Sequence, residues 1–273
     1  MLLLMIACQQ KPTKITQTEP IMGEAFSLEQ IRKYQPVILD ARSTFDFNLA
    51  HVPGAINVHW EDFSQQDPGS RGLLQNDLTA LARRLALIGI SPDTKVLVLG
   101  KGKQGAGEEG RIAWTLQLLG VKDVFTMVHT SFRQQNPRDE ADPVQNKSYW
   151  KPEIKDQLAI GSTEFKNKTF AEASDVVVID VRSLQEYGLQ NLKHDKKFKA
   201  VLKNIEWKEF FDDKGVPSKK ILPMLAEQGI TPNTTVLLVS NHGVRSAAAT
   251  YALTVLGFKN ARNFAGGLEQ WKF

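Results

Sequence analysis

Val37-Ile-Leu-Asp-Ala-Arg-Ser-Thr-Phe-Asp-Phe47 returns 140 residues later as Val177-Val-Ile-Asp-Val-Arg-Ser-Leu-Gln-Glu-Tyr187. At the same offset, Gly89-Ile-Ser-Pro-Asp-Thr-Lys-Val-Leu-Val-Leu99 returns as Gly229-Ile-Thr-Pro-Asn-Thr-Thr-Val-Leu-Leu-Val239. Gly, Ile, Pro, Thr, Val and Leu hold matching positions with no gap, so the chain reads as two copies of one unit. Val37–Leu39, Val96–Leu99, Val176–Ile179 and Val236–Val239 are continuous apolar runs, the pattern of strands buried on both faces. Between them, Asn76–Ile88, Arg111–Leu119 and Ser246–Leu256 read as helices, the last two stopped by Gly120 and Gly257. Strand and helix alternating in this way predict an α/β fold, each copy a parallel sheet covered by helices on both faces.

The repeat divides the chain into a segment 1–24, a first domain 25–136, a connecting segment 137–160 with Pro137, Pro143 and Pro152 among charges, and a second domain 161–273. At 273 residues there is chain enough for two cores. With 42% hydrophobic and 23% charged residues the composition is that of folded protein rather than disorder. The formal charge of +4 is mild and does not point to nucleic acid. One cysteine, Cys8, rules out an internal disulfide, a cysteine-rich metal site and a dithiol relay, and nothing in the sequence calls for a cofactor or a metal.

Several motifs, in the same order in both halves, resemble the rhodanese-like sulfurtransferases in their tandem form. Asp40-Ala41-Arg42, followed by Phe47, Ala50 and His51-Val-Pro-Gly-Ala-Ile-Asn-Val58, is similar to the family's first signature, and Asp180-Val181-Arg182 repeats its start. Asn263-Phe-Ala-Gly266-Gly267-Leu-Glu-Gln-Trp271 is similar to its closing element. The resemblance runs from about Ala25 to Phe273. It implies an active-site loop in the second domain, six residues between a buried strand and a helix, opening with a cysteine that carries sulfur as a persulfide taken from thiosulfate or 3-mercaptopyruvate.

The matching loop here is Ser240-Asn241-His242-Gly243-Val244-Arg245. A strand running into a glycine-containing loop and then a helix turns successive N–H groups toward one point, an anion cradle. Ser240 stands at the cysteine position, and an oxygen cannot form a persulfide. In the first copy that position is Gly100, followed by a loop three residues longer, since the offset falls from 140 to 137 by Gly120 and Gly257. At the reduced offset Glu108 stands in the place of Arg245, and His129-Thr130 replaces Gly266-Gly267. The resemblance therefore implies a protein without sulfur transfer that keeps an anion-binding or scaffolding role, with a small oxyanion such as thiosulfate or sulfate as partner. The alternative is a working thiosulfate or 3-mercaptopyruvate sulfurtransferase, which would need chemistry without the thiol.

Other features read more plainly. Asp40, Arg42, Asp180 and Arg182 should tie neighbouring loops by paired hydrogen bonds, and Phe264 and Trp271 should be core. His242 reads as an exposed loop histidine. As an activated nucleophile Ser240 would need a base held by a third group, and only His242 is adjacent. The glycine-rich run Gly100–Gly110 lacks the Gly-Lys-Ser/Thr ending of a phosphate loop and reads as irregular surface. Lys193, Lys196, Lys197, Lys199 and Lys203 read as a solvated face.

Met1–Ala7 are all apolar and Cys8 precedes a polar stretch, which resembles a bacterial lipoprotein signal with Met5-Ile6-Ala7-Cys8 at the lipobox. That resemblance implies acylation of Cys8, a tether to about Glu24, and an envelope location facing the periplasm, with the outer membrane favoured because Gln9 follows the cysteine.

Overall fold

A computed structural model describes residues 19–132, 147–172 and 175–271. Cys8 and its flanks, with residues 137–146 of the connecting segment, lie outside these. The first domain runs α1 (Leu28–Tyr34), β1 (Val37–Asp40), α2 (Thr44–Leu49), β2 (Ile56–Asn57), α3 (Leu78–Leu87), β3 (Val96–Gly100), α4 (Glu108–Leu118) and β4 (Val124–Val128). The second runs α5 (Ser162–Phe170), β5 (Val176–Asp180), α6 (Leu184–Leu189), β6 (Val201–Asn204), α7 (Ile221–Glu227), β7 (Thr235–Val239), α8 (Val244–Val255), β8 (Ala261–Asn263) and α9 (Gly267–Trp271).

Among the described residues each domain holds a four-stranded sheet, ordered β2-β1-β3-β4 in the first and β6-β5-β7-β8 in the second, parallel throughout. The two orders are the same topology. Val37 aligns with Val96 and Val177 with Val236, which sets the ends of β3 and β7 beside the ends of β1 and β5. Every residue of β3 is buried, as a central strand covered on both faces requires.

Both Asp–Arg pairs form the clasp that their sequence suggests. Arg42 donates through Nε and Nη2 to the Asp40 carboxylate at 2.9 and 2.6 Å, and Nη2 also reaches the Ala50 carbonyl at 2.7 Å. Arg182 repeats this on Asp180, at 3.0 and 2.7 Å, and on the Gln190 carbonyl at 2.6 Å. A buried ion pair holds only when its remaining hydrogen-bonding capacity is met, and here the loop carbonyl meets part of it. Phe264 and Trp271 are core, both packed on Phe165.

The domains share a core. Trp114, Leu116 and Ile112 of α4 belong to one apolar cluster with Ala248, Tyr251 and Ala252 of α8. The N-terminal turns of α4 and α8 meet at small residues: a Cβ on Gly110 would stand 2.5 Å from the Ala248 Cβ, so only glycine permits this approach. Polar ties cross the same junction. Tyr251 donates to the Val124 carbonyl at 2.9 Å, Thr126 to the Gly215 carbonyl at 2.8 Å, and the Val128 N–H to the Lys214 carbonyl at 2.8 Å.

Three expectations are corrected. Helices α4 and α8 begin at Glu108 and Val244, three and two residues before the sequence reading, because Gly107 and Gly243 act as left-handed N-caps at φ 86° and 74° and let the helix start inside the loop. Helix α3 is shorter than expected at its start, where Asp77 caps it through the Ala80 N–H. The glycine-rich run is not surface throughout: Gly102, Gly107, Glu109 and Gly110 are buried.

Candidate functional site

Ser240 ends β7, and the loop to Arg245 folds against α9. The α9 N–H groups of Leu268 and Glu269 donate to the carbonyls of Ser240 and Asn241, at 2.9 and 3.1 Å. In a trans peptide the N–H points away from its own carbonyl, so the Asn241 and His242 N–H groups face the other way. The Gly243 carbonyl likewise turns inward, accepting from Asn263 Nδ2 at 3.3 Å and from the Ala247 N–H at 3.2 Å. Among the described residues nothing accepts from the N–H groups of Asn241 through Arg245. These N–H groups stand at the positive end of α8, where they are free to donate. Glycine is required at both contacts: a Cβ on Gly243 would stand 2.2 Å from the Ala265 carbonyl oxygen, and one on Gly267 2.3 Å from that of Asn241.

Ser240 is 1% exposed. Its Oγ lies 3.1 Å from the Ser246 Oγ and accepts from the Ser246 N–H at 3.4 Å. No base reaches it. His242 points elsewhere, its Nδ1 3.1 Å from Glu269 Oε1 and its ring parallel to Trp60 at 6.3 Å between centroids. His242 is therefore half-buried and pinned rather than an exposed loop histidine. Arg71 of the first domain pairs with the same Glu269 and lies 3.3 Å from His242 Nδ1.

Arg245 does not point free into the cradle. Its Nη1 and Nη2 each donate to Glu186 at 2.7 Å, a bidentate pair, and Asn241 Nδ2 adds a third bond at 3.0 Å. The Arg245 guanidinium, with the N–H and hydroxyl of Ser183, brings the Glu186 carboxyl down to about 2. Glu186 is also the third residue of α6 and closes a capping box with Ser183. Arg245 thus ties the loop to α6, and its charge is balanced at neutral pH.

The first domain builds the rest of the site. A pocket of about 340 Å³, counted to its open mouth, has Ser240, His242 and Arg245 on one side and Trp60, Ala106 and Glu108 on the other. Gly72 lies so close to the loop that a Cβ would stand 2.3 Å from the His242 carbonyl oxygen. Behind the loop, Arg111 of α4 is fully buried. It donates to the Gly72 carbonyl at 2.7 Å and to the Gly243 carbonyl at 3.5 Å, and stacks over Trp114 at 4.7 Å. Burial brings its guanidinium down to about 9, so it is still a cation at neutral pH, with no carboxylate paired to it among the described residues.

In the first domain the corresponding place is filled from within. Gly100 ends β3 as Ser240 ends β7. The Glu109 side chain, 3% exposed, folds back so that its Oε1 accepts from the Gly102 N–H at 2.9 Å. A Cβ on Gly100 would stand 2.3 Å from Glu109 Oε2 and 2.8 Å from the Glu109 Cβ. The glutamate therefore occupies the space in which a side chain at position 100 would lie. Burial pushes its carboxyl up to about 8, so it is protonated at neutral pH. At the offset of 137, Glu109 is the counterpart of Ser246. The sequence reading took in Glu108 but passed over Glu109, whose only signal was that same offset. Trp60, Arg71 and Arg111 left no signal, because their part in the site is played across the domain junction.

No cluster of metal-ligating side chains occurs among the described residues. None of their helices is long and apolar enough to cross a membrane.

The family model described as Rhodanese-like domain matches the chain twice, over residues 27–133 and 163–273. Among solved structures, the chain is similar to SseA of Escherichia coli, described with the 3-mercaptopyruvate sulfotransferases, at 17% identity and a TM-score of 0.67, covering 88% of this chain and 94% of that one. It is similar to a probable thiosulfate sulfurtransferase at 19% identity and a TM-score of 0.59, covering 86% and 94%. It also resembles the anaerobic ergothioneine biosynthesis enzyme of Chlorobium limicola, at 18% identity and 0.67, covering 86% of this chain but 62% of that one. At these identities the likeness is one of fold. No curated protein matches the sequence.

Proposed function

The chain belongs to the rhodanese-like family, with the domain present twice, and from that premise we propose that it is a member without sulfur transfer whose second-domain loop binds an oxyanionic group of a small ligand. One observation carries the reading: the N–H cradle of Asn241–Arg245 is open while the position that would hold a thiol is the buried hydroxyl of Ser240. A hydroxyl paired with Ser246 and remote from any base stays protonated. The only thiol of the chain, Cys8, precedes both domains. Thiosulfate and sulfate are the probes for the cradle, and the protein acts as a binding or scaffolding component.

With thiosulfate and cyanide, the wild type should form no thiocyanate above the uncatalysed rate, whereas Ser240→Cys should gain a thiosulfate-dependent mass increase of one sulfur. Sulfate should shift the amide resonances of Asn241–Arg245. Turnover by the wild type would end the reading of lost transfer. Unmoved amides together with an inert Ser240→Cys would end the anion reading.

The same proposal places the protein at the cell envelope through acylated Cys8. Two or more acyl chains suffice for stable anchoring. Mass spectrometry of the mature protein should find Cys8 at the N-terminus carrying acyl chains. Mature protein that still begins at Met1 in a membrane-free fraction would contradict it.

A further inference from the structure

The second-domain loop is the positive half of its pocket, and the opposite wall is acidic. Glu108, the first residue of α4, lines the pocket across the domain junction and is bound through Oε2 only to the Ala106 N–H, at 2.8 Å. No cation among the described residues pairs with it. Arg245, which faces the same space, is already held by Glu186. Among the side chains that line the pocket, the Glu108 carboxylate is therefore the charge without an ion-pair partner, across the domain junction from the N–H cradle, while the unpaired Arg111 lies behind the loop and outside the lining. Trp60 stands on that side as well, but its ring already lies parallel to His242 and has the Arg111 guanidinium over it at 6.0 Å, so the Glu108 carboxylate is the group left to meet a cation on that wall.

A free dianion suits this arrangement poorly. The cradle would hold one side of it while Glu108 repelled the other, in a partly enclosed space where water screens little. From these groups we infer that the ligand is a small zwitterion, a carboxylate or sulfonate joined by a short chain to an ammonium group. The anionic end accepts from the N–H groups of Asn241–Arg245, and the ammonium lies against Glu108. The inference rests on the proposed anion reading of the loop and adds the second half of the ligand.

Three probes that share a sulfonate separate the two ideas. Taurine carries the ammonium, isethionate has a hydroxyl in its place, and methanesulfonate has neither. Titrated into the full chain by calorimetry or by the loop amide shifts, taurine should bind at least about tenfold more tightly than isethionate, about 1.4 kcal/mol. Glu108→Gln keeps the bond to the Ala106 N–H and should erase that preference, weakening taurine and strengthening isethionate. A preference unchanged in Glu108→Gln, or isethionate and sulfate binding as tightly as taurine, would overturn the zwitterion while leaving the anion cradle standing. If neither taurine nor any simple anion binds, both readings fall.

Discussion

Gly100→Ala should destabilise the protein by about 3 kcal/mol or more, the upper end of what overpacking a filled core costs. The added Cβ would meet Glu109 Oε2 at 2.3 Å and, more tellingly, the Glu109 Cβ at 2.8 Å. Swinging the carboxylate aside relieves only the first of these contacts. The second asks α4 to move, and α4 is wedged against α8 at Gly110 and Ala248. Urea unfolding of four proteins settles the cause: wild type, Gly100→Ala, Glu109→Gly, which removes the Cβ as well as the carboxylate, and the double variant. Glu109→Gly alone loses a buried hydrogen bond and leaves a cavity, so it is costly in its own right. On that background, however, adding Gly100→Ala should cost much less than it does in the wild type. Equal costs on the two backgrounds would mean that the glutamate is not what forbids a side chain at position 100.

Glu109→Gln should remove several kcal/mol of pH-dependent instability. A carboxyl raised from 4.5 to about 8 by burial binds its proton more tightly in the folded chain than in the unfolded one. Stability from this group is therefore full below about pH 4.5 and falls as pH rises toward 8, by about 1.4 kcal/mol per unit across that window. Above pH 8 the loss is complete. Glutamine retains an acceptor for the Gly102 N–H and never ionises. The variant should thus resemble the wild type at pH 5 and exceed it clearly at pH 9. Parallel stability curves for the two proteins would show that the carboxyl is not held neutral. Glu186 works in the opposite sense, since its lowered carboxyl contributes above about 4.5 and ceases to do so as pH falls toward 2, which makes the low-pH limb common to both proteins.

The repeat made the architecture legible, because a strand buried on both faces must be a continuous apolar run and two such runs recur with their flanking turns. The Asp–Arg clasps were legible for a similar reason: both partners lie two residues apart in the chain, so their meeting is a local fact. The loop Ser240–Arg245 was legible as a position, but its wiring was not. Arg245 is held by Glu186, 59 residues earlier, a partner that the loop's own sequence does not disclose. His242 looked exposed until Trp60 and Arg71 arrived from the other domain. Helix starts were misplaced where glycine served as the cap, since Gly107 and Gly243 offer no side chain by which a cap is normally recognised in sequence.

The contact between Gly72 and the His242 carbonyl, with Arg111 reaching Gly243 from behind, makes the loop's shape a joint product of both domains. A ligand seated there is a fastener: whatever free energy its binding releases also opposes separation of the two halves. Occupancy would then register as resistance to domain opening, seen as slower amide exchange at Val124 and Val128, neither of which lines the pocket. If the loop binds a ligand as proposed, the two halves would be held more firmly when it is loaded than when it is empty, a difference that does not depend on any chemistry at the loop.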